Sequence, residues 1–419
     1  MTDDLPCASG RGPITRLLLP PEVDPSALHL VAARALRALA DGYMAVLLPA
    51  YLLSIGLGTL EVGVIATMTM LGSALATVAV GAWGHRFASG RLLRGAALLM
   101  AATGLGFAGF SSFWPLLLVA FVGTLNPSSG DVSVFLPLEH ARLAGAASGH
   151  ARTALFARYS VVGALCAAIG ALGAGLPDWL ASQTGVAHVV TLRAMFLLYG
   201  VIGLLIWWLY RQPVVSKVVS ETPQTTAPLG PSRRIVVRLA ALFSVDAFAG
   251  GLVVNSLMAL WLLQRFGLSL AQAGAFFFWA GLLSAASQLA APFVARRIGL
   301  LNTMVFTHIP ANICLVLAAL APNLPVALTL LFVRSALSQM DVPTRTAYVM
   351  AVVTPAERPA AASFTAVPRS LAGALSPTIS GALFAAGFVS LPLVACGVLM
   401  IAYDLALWRG MRGEHLPGE

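Results

Sequence analysis

Apolar residues in this sequence gather in runs, and the polar positions collect in short breaks between them. A helix crossing the hydrocarbon core of a bilayer needs about 20 apolar residues, so each run predicts a membrane span. The runs fall near 28–54, 60–83, 92–111, 114–136, 153–175 and 189–210, and then near 236–263, 272–295, 301–320, 325–347, 362–387 and 390–409. The pattern predicts an all-α membrane protein with twelve transmembrane helices in two six-helix pseudo-symmetric bundles. The expected units are a tail over 1–27, a bundle over 28–210, a linker over 211–235, a second bundle over 236–409 and a tail over 410–419. The linker carries ETPQTTAPLGPSRR, the longest polar interruption after the N-terminus.

Composition agrees with the pattern. Hydrophobic residues make up 58% of the chain and charged ones 10%, against roughly 25% charged in a soluble domain. The chain has too little polar surface to cover itself in water. Lys and Arg (25) exceed Asp and Glu (16), but they form no basic domain and imply no nucleic-acid partner. They sit in every second loop: Arg86, Arg91, Arg94, Arg142, Arg152, Arg211, Lys217, Arg233, Arg234, Arg296, Arg297 and Arg358. By the positive-inside rule those loops and both tails are cytoplasmic, and an inner-membrane location follows. Arg34, Arg37 and Asp41 interrupt the first run, which makes it a poor secretory signal, so no cleavage is expected. Cys7, Cys166, Cys314 and Cys396 lie far apart, and their spacing suggests neither a disulfide framework nor a metal site.

The halves repeat at an offset of about 211 residues, as duplicated carriers do. GLGTLEVG at 56–63 resembles GLSLAQAG at 267–274, and RYSVVGALCAAIGAL at 158–172 resembles PRSLAGALSPTISGAL at 368–383. Six helices return the chain to its starting side, so the repeat is parallel.

Between the second and third runs stand Gly81, His85, Arg86, Gly90 and Arg91. This segment resembles the GxxxDRxGR signature of the major facilitator superfamily, a turn that locks two helices in one conformational state. His85 stands at the family's Asp position, and two residues are inserted. The resemblance covers essentially the whole chain. A second family signature, the GxxxGPxxG of proton-driven exporters, is echoed on the eleventh helix by Gly373, Pro377 and Gly381, which read as a close-packing motif.

A charge at the bilayer centre costs roughly 2.5–3.5 kcal/mol on insertion scales, so acids within spans should face a partner or a wet cavity. Asp41, Asp131, Asp246 and Asp341 lie in the first, fourth, seventh and tenth spans, the helices that line the central cavity in the resembled fold. At 1.5 Å per residue, Asp41 lies about 20 Å and Asp246 about 15 Å into its helix, near the midplane. Both are candidates for proton coupling or substrate binding, with Asn255, Arg334 and Gln339. Asp41 has Arg37 and Arg34 one and two turns away, so a permanent ion pair is its alternative. Arg334 needs an anion: Asp246, Asp341 or an anionic substrate. Asp131, which follows NPSSG, and Asp341, four residues before Arg345, read as gating pairs together with Arg34, Arg37 and Arg369. His308 and Asn312 read as structural hydrogen-bonding groups. Trp83, Trp114, Trp261 and Trp408 read as interfacial anchors, with the outer vestibule as the alternative for Trp261.

No HExxH, GxSxG or GxxxxGK[ST] occurs, so no enzyme, cofactor or metal is expected and an ion gradient must drive any transport. The expected function is alternating-access, proton-coupled efflux of a small organic molecule by a monomer, with the lipid bilayer as its other partner. Efflux of an inorganic anion or metalloid, and a non-transporting receptor, are the alternatives.

Overall fold

The computed structural model describes residues 18–21, 23–128, 133–147, 149–212 and 229–412. Asp131, most of the central linker and most of both tails lie outside the described residues. The α-helices, in chain order, are α1 (Leu28–Ser54), α2 (Thr59–Trp83), α3 (Ser89–Gly109), α4 (Phe113–Val122), α5 (Phe135–Ala146), α6 (Gly149–Leu172), α7 (Leu176–Thr184) and α8 (His188–Leu209). The second half continues with α9 (Arg233–Gly251), α10 (Asn255–Phe266), α11 (Leu270–Ile298), α12 (Leu300–Ala319), α13 (Leu324–Ser338), α14 (Asp341–Val352), α15 (Arg358–Ala385) and α16 (Leu391–Met411).

These helices make twelve passes in two six-helix bundles. Three passes are broken pairs: α4 with α5, where the helix-breaking NPSSG stands, and, against the expectation of continuous helices, α9 with α10 and α13 with α14. The first break contains Asn126 and Pro127; proline removes a backbone donor and clashes with the preceding turn. Among the described residues, nine helical stretches are long and apolar enough by themselves to cross a membrane. The passes outside that group are two of the broken ones and α15, which carries Arg358, Arg369, Pro368 and Pro377.

Local chemistry sets the helix ends. Ser269 and Gln272 form a capping box at α11, with Gln272 N donating to Ser269 Oγ (3.2 Å) and Ser269 N to Gln272 Oε1 (2.9 Å), which satisfies two otherwise orphaned groups. Asn323 caps α13 by accepting from Val326 N at 3.1 Å. Gly267 ends α10 at φ 65°, a conformation that costs a side-chain-bearing residue far more than glycine. At the end bearing the basic loops, Glu357 accepts from Gly230 N (2.5 Å), Ser232 Oγ (2.6 Å) and Thr354 Oγ1 (2.8 Å). Those bonds hold its carboxyl down to about 2 and tie the start of α9 to the loop before α15.

The two bundles meet along α2 with α15 and α6 with α11. Gly63 and Gly381 bring α2 and α15 together: a Cβ on Gly63 would lie 2.6 Å from the Pro377 carbonyl oxygen. Small residues allow this approach where no hydrophobic force joins helices in lipid. Thr378 N and Oγ1 reach Thr67 Oγ1 at 3.0 and 2.8 Å. On the other seam, added Cβ atoms on Gly175 and Gly281 would meet Ala271 Cβ at 2.9 Å and Ala168 Cβ at 3.1 Å. These contacts gather toward the end opposite the basic loops.

Candidate functional site

The three helix breaks place the site. Irregular backbone at membrane depth is tolerated only where it is buried in protein or lines a cavity. Here Ser128, Val253 with Asn255, and Gln339, from the three breaks, all line one cavity of about 270 Å³ between the bundles. Ser256 N, in the second half, donates to the Pro127 carbonyl of the first at 3.0 Å. The two wall faces differ. The first bundle presents Gly42 and Ala45 of α1 and Ala164, Ala167, Ala168 and Ala171 of α6; the second presents the polar Asn255, Ser284, Gln288, Arg334 and Gln339 together with the apolar Met258, Phe276, Phe277 and Leu331. Gln288 Nε2 donates to Gln339 Oε1 at 3.3 Å.

The candidate charges separate into paired and unpaired groups. Asp41 is buried (7% exposed), and its Oδ1 has no hydrogen-bond partner. The ion pair with Arg37 considered for it is not formed. Arg37 instead grips Glu139 of α5 with both terminal nitrogens, Nη1 to Oε1 at 3.0 Å and Nη2 to Oε2 at 2.6 Å. Tyr210 Oη donates to Glu139 Oε1 at 2.5 Å and Tyr159 Oη to Oε2, and the guanidinium lies 4.4 Å from the Phe135 ring centroid. Arg34 sits over the Tyr159 ring at 5.5 Å.

In the second bundle, Arg345 Nη2 lies 3.1 Å from Asp246 Oδ2 and also contacts Asp341 Oδ2. The helical spacing of Asp341 and Arg345 pointed to the second contact; the first arrives from α9. Neither acid reaches Arg334, which lines the cavity with its Nε lacking any partner. His308 Nδ1 pairs with Asp404 Oδ2 at 3.1 Å between α12 and α16. Each of these ion pairs stays within one bundle, and all but Arg345–Asp341, which lies inside α14, join two helices. Arg369 is exposed on α15.

The four aspartates expected at membrane depth are not the full set of buried acids. Glu139 (0% exposed) and Asp404 (1% exposed) are buried too. Glu139 lies just past the run that ended near 136, on the far side of the helix break. Asp404 is a lone acid in an apolar run, the same signal that marks Asp246. Trp261 is neither an interfacial anchor nor a vestibule residue: it is fully buried, 5.3 Å from the Phe266 ring. Gly81, Arg86 and Arg91 are exposed, while Arg142 Nε of α5 donates to Ser89 Oγ at 3.3 Å beside Gly90. Gly373 packs on α9, facing the Ala247 carbonyl, whereas Pro377 and Gly381 face α2. Among the described residues, no three His, Cys, Asp or Glu side chains gather as a metal site.

Two six-helix bundles around a central cavity, with helices broken where they border it, define a membrane carrier of the secondary-transport class. The sequence profile of the Major Facilitator Superfamily matches residues 30–340, and the chain belongs to that family. It is 26% identical over 422 residues to the uncharacterized membrane protein YJR124C of Saccharomyces cerevisiae, a match covering 90% of this chain and 92% of the yeast protein. Its fold is similar to that of a bacterial homolog of the human lysosomal transporter Spinster, inward-facing and occupied (TM-score 0.72, 16% identity, covering 92% of this chain and 96% of that one). It is also similar to the nucleoside transporter NupG (TM-score 0.70, 14% identity, 93% and 100%). A third similar fold is the inward-open xylose transporter XylE of E. coli (TM-score 0.69, 15% identity, 91% and 96%).

Proposed function

We propose that this carrier exports a small organic molecule by alternating access and is driven by protons that Asp41 takes up and releases. The observation that carries the reading is Asp41 itself: a buried carboxylate with an unsatisfied oxygen, adjacent in sequence to Gly42 of the cavity wall. A carboxylate with neither counter-ion nor hydrogen bond is costly at membrane depth, and gaining a proton removes the charge. Exposure of that group to one side and then the other would couple proton movement to rocking of the bundles. Asp246 shares Arg345 with Asp341, so of the two midplane aspartates Asp41 is the better proton carrier.

The basic loops support placing their end in the cytoplasm, with both tails there and the chain in the inner membrane. A seam packed at the opposite end would then correspond to an inward-facing state, the state named for the Spinster homolog and for XylE.

Growth inhibition by a panel of small organic compounds, in a host lacking its own exporters, tests this. The parent chain should protect against at least one compound, and Asp41→Asn should give no protection at equal membrane abundance. Equal protection by Asp41→Asn would remove that residue from the coupling. No protection by the parent against any compound would overturn export.

A further inference from the structure

We propose that the cargo is a small organic monoanion of the carboxylate class, held by the Arg334 guanidinium with its apolar body on the alanine face of α1 and α6. The proposal rests on the carrier reading and deepens it.

Arg334 is the eleventh residue of α13, so it sits about 15 Å along the helix, halfway across a hydrocarbon core about 30 Å thick. It makes no ion pair or hydrogen bond with the described residues, and its Nε is buried without a partner. The residue is half-buried, its guanidinium bordering the cavity, and a guanidinium at membrane depth favours a carboxylate or phosphate partner. The four acids among the described residues of the second bundle are all engaged elsewhere. Asp246 and Asp341 are on Arg345, Asp404 is on His308, and Glu357 is on Gly230 and Ser232. Asp41 of the first bundle, the remaining acid beside the cavity, forms no ion pair with Arg334 either, so the cargo is the proposed source of the anion.

The cavity then sets what that anion is. Among its described lining residues Arg334 is the only ionisable one, so a single negative charge brings the occupied cavity to neutrality, and a dianion would leave an uncompensated charge. Ser338, one turn from Arg334, and Asn255 supply hydroxyl and amide donors of the kind that complete an anion's hydrogen bonds. A compact inorganic oxyanion would leave the opposite wall idle. That wall is alanine and glycine, and Phe276, Phe277 and Met258 of the second bundle line the same cavity, surfaces suited to an apolar or ring-bearing body. At about 270 Å³ the space is smaller than the roughly 300–1,000 Å³ of sites for drug-sized ligands.

Thermal unfolding of the detergent-solubilised full chain tests this without relying on transport. The probes are benzoate, phenylacetate and hippurate, each beside its neutral amide, with benzylamine as the cation and inorganic phosphate as the inorganic anion. At least one carboxylate should raise the unfolding temperature in a saturable way, and the amides, benzylamine and phosphate should not. Arg334→Gln should weaken that carboxylate roughly tenfold or more, as expected when a charged hydrogen-bond partner is lost, and Arg334→Lys should retain part of the response. Both variants must elute as the parent does in size-exclusion chromatography; if Arg334→Gln does not fold, the lysine variant and the charge series carry the test. Stabilisation by none of the carboxylates, equal stabilisation by the amides, or preference for benzylamine or phosphate would overturn the proposal. Failure of the carrier reading looks different: carboxylates bind, yet no imposed pH gradient moves them across a proteoliposome membrane.

Discussion

Gly381→Leu is expected to abolish transport and to turn the cavity toward the end opposite the basic loops, with both bundles still folded. A Cβ on Gly381 would already lie 2.7 Å from the Thr59 carbonyl oxygen and 2.9 Å from the Gly63 Cα. A full leucine side chain forces α15 away from α2. Overpacking of this kind costs about 1–3 kcal/mol. The cost falls on the described state, because this seam joins two bundles that must part here when the cavity opens the other way. A differential cost of that size corresponds to a shift of about 5–150-fold between two states. Cysteine placed at Ser284, in the cavity wall, and labelled with an impermeant maleimide reads the shift, in a background with the native cysteines replaced by serine. Labelling from the basic side should fall and labelling from the other side should rise. Gly170→Leu is the control: its Cβ would strike the backbone of Leu39 on α1, inside one bundle, so it should lower folded yield instead. Unchanged labelling together with normal transport in Gly381→Leu would show that this contact does not define the closed end.

The membrane spans are legible in the sequence because lipid imposes a one-dimensional rule on each: enough apolar residues in a row. The breaks are less legible. NPSSG announces the first through Pro127, but the breaks at Leu252–Val254 and at Gln339 follow from what the backbone borders in three dimensions. The charges divide in the same way. Asp341 and Arg345 lie one helical turn apart, so their contact can be read from spacing. The Arg37–Glu139 and Arg345–Asp246 contacts join residues on different helices, and their geometry depends on helix rotation that no single span encodes. Arg334 stands out for the same reason: its apparent partners, Asp246 and Asp341, are both taken by Arg345. The polarity of the duplicated unit is also inverted. The base sits on the first pass and the acid on the fourth in the first bundle, and the acid on the first pass and the base on the fourth in the second. Each bundle thereby gains an internal ionic tie through a different assignment of charge.

Glu139→Leu should cost the folded first bundle about 3–5 kcal/mol, the usual penalty when one member of a buried ion pair is removed. Arg37 is 2% exposed and would keep its long hydrogen bonds to Tyr159 and Tyr210, each at 3.4 Å, and its place over the Phe135 ring, but no anion. The two tyrosines would lose their acceptor at the same time. The double variant Arg37→Met with Glu139→Leu removes both charges and should recover much of the loss, because apolar replacement of a whole buried pair is often neutral or better. Thermal unfolding of the four proteins gives the coupling between the two sites by a double-mutant cycle. A Glu139→Leu protein as stable as the parent would show that the pair contributes little to folding. Transport then separates two roles for the knot. Because it links α1, α5, α6 and α8 within one bundle, a purely mechanical role predicts that the double variant transports once its stability returns. A pair that must break during each cycle predicts a double variant that is stable yet altered in rate. The bundle's internal tie and Asp41, the proposed proton carrier one turn along the same helix, are then distinguishable by experiment: loss of the first is expected to fail in stability, loss of the second in coupling.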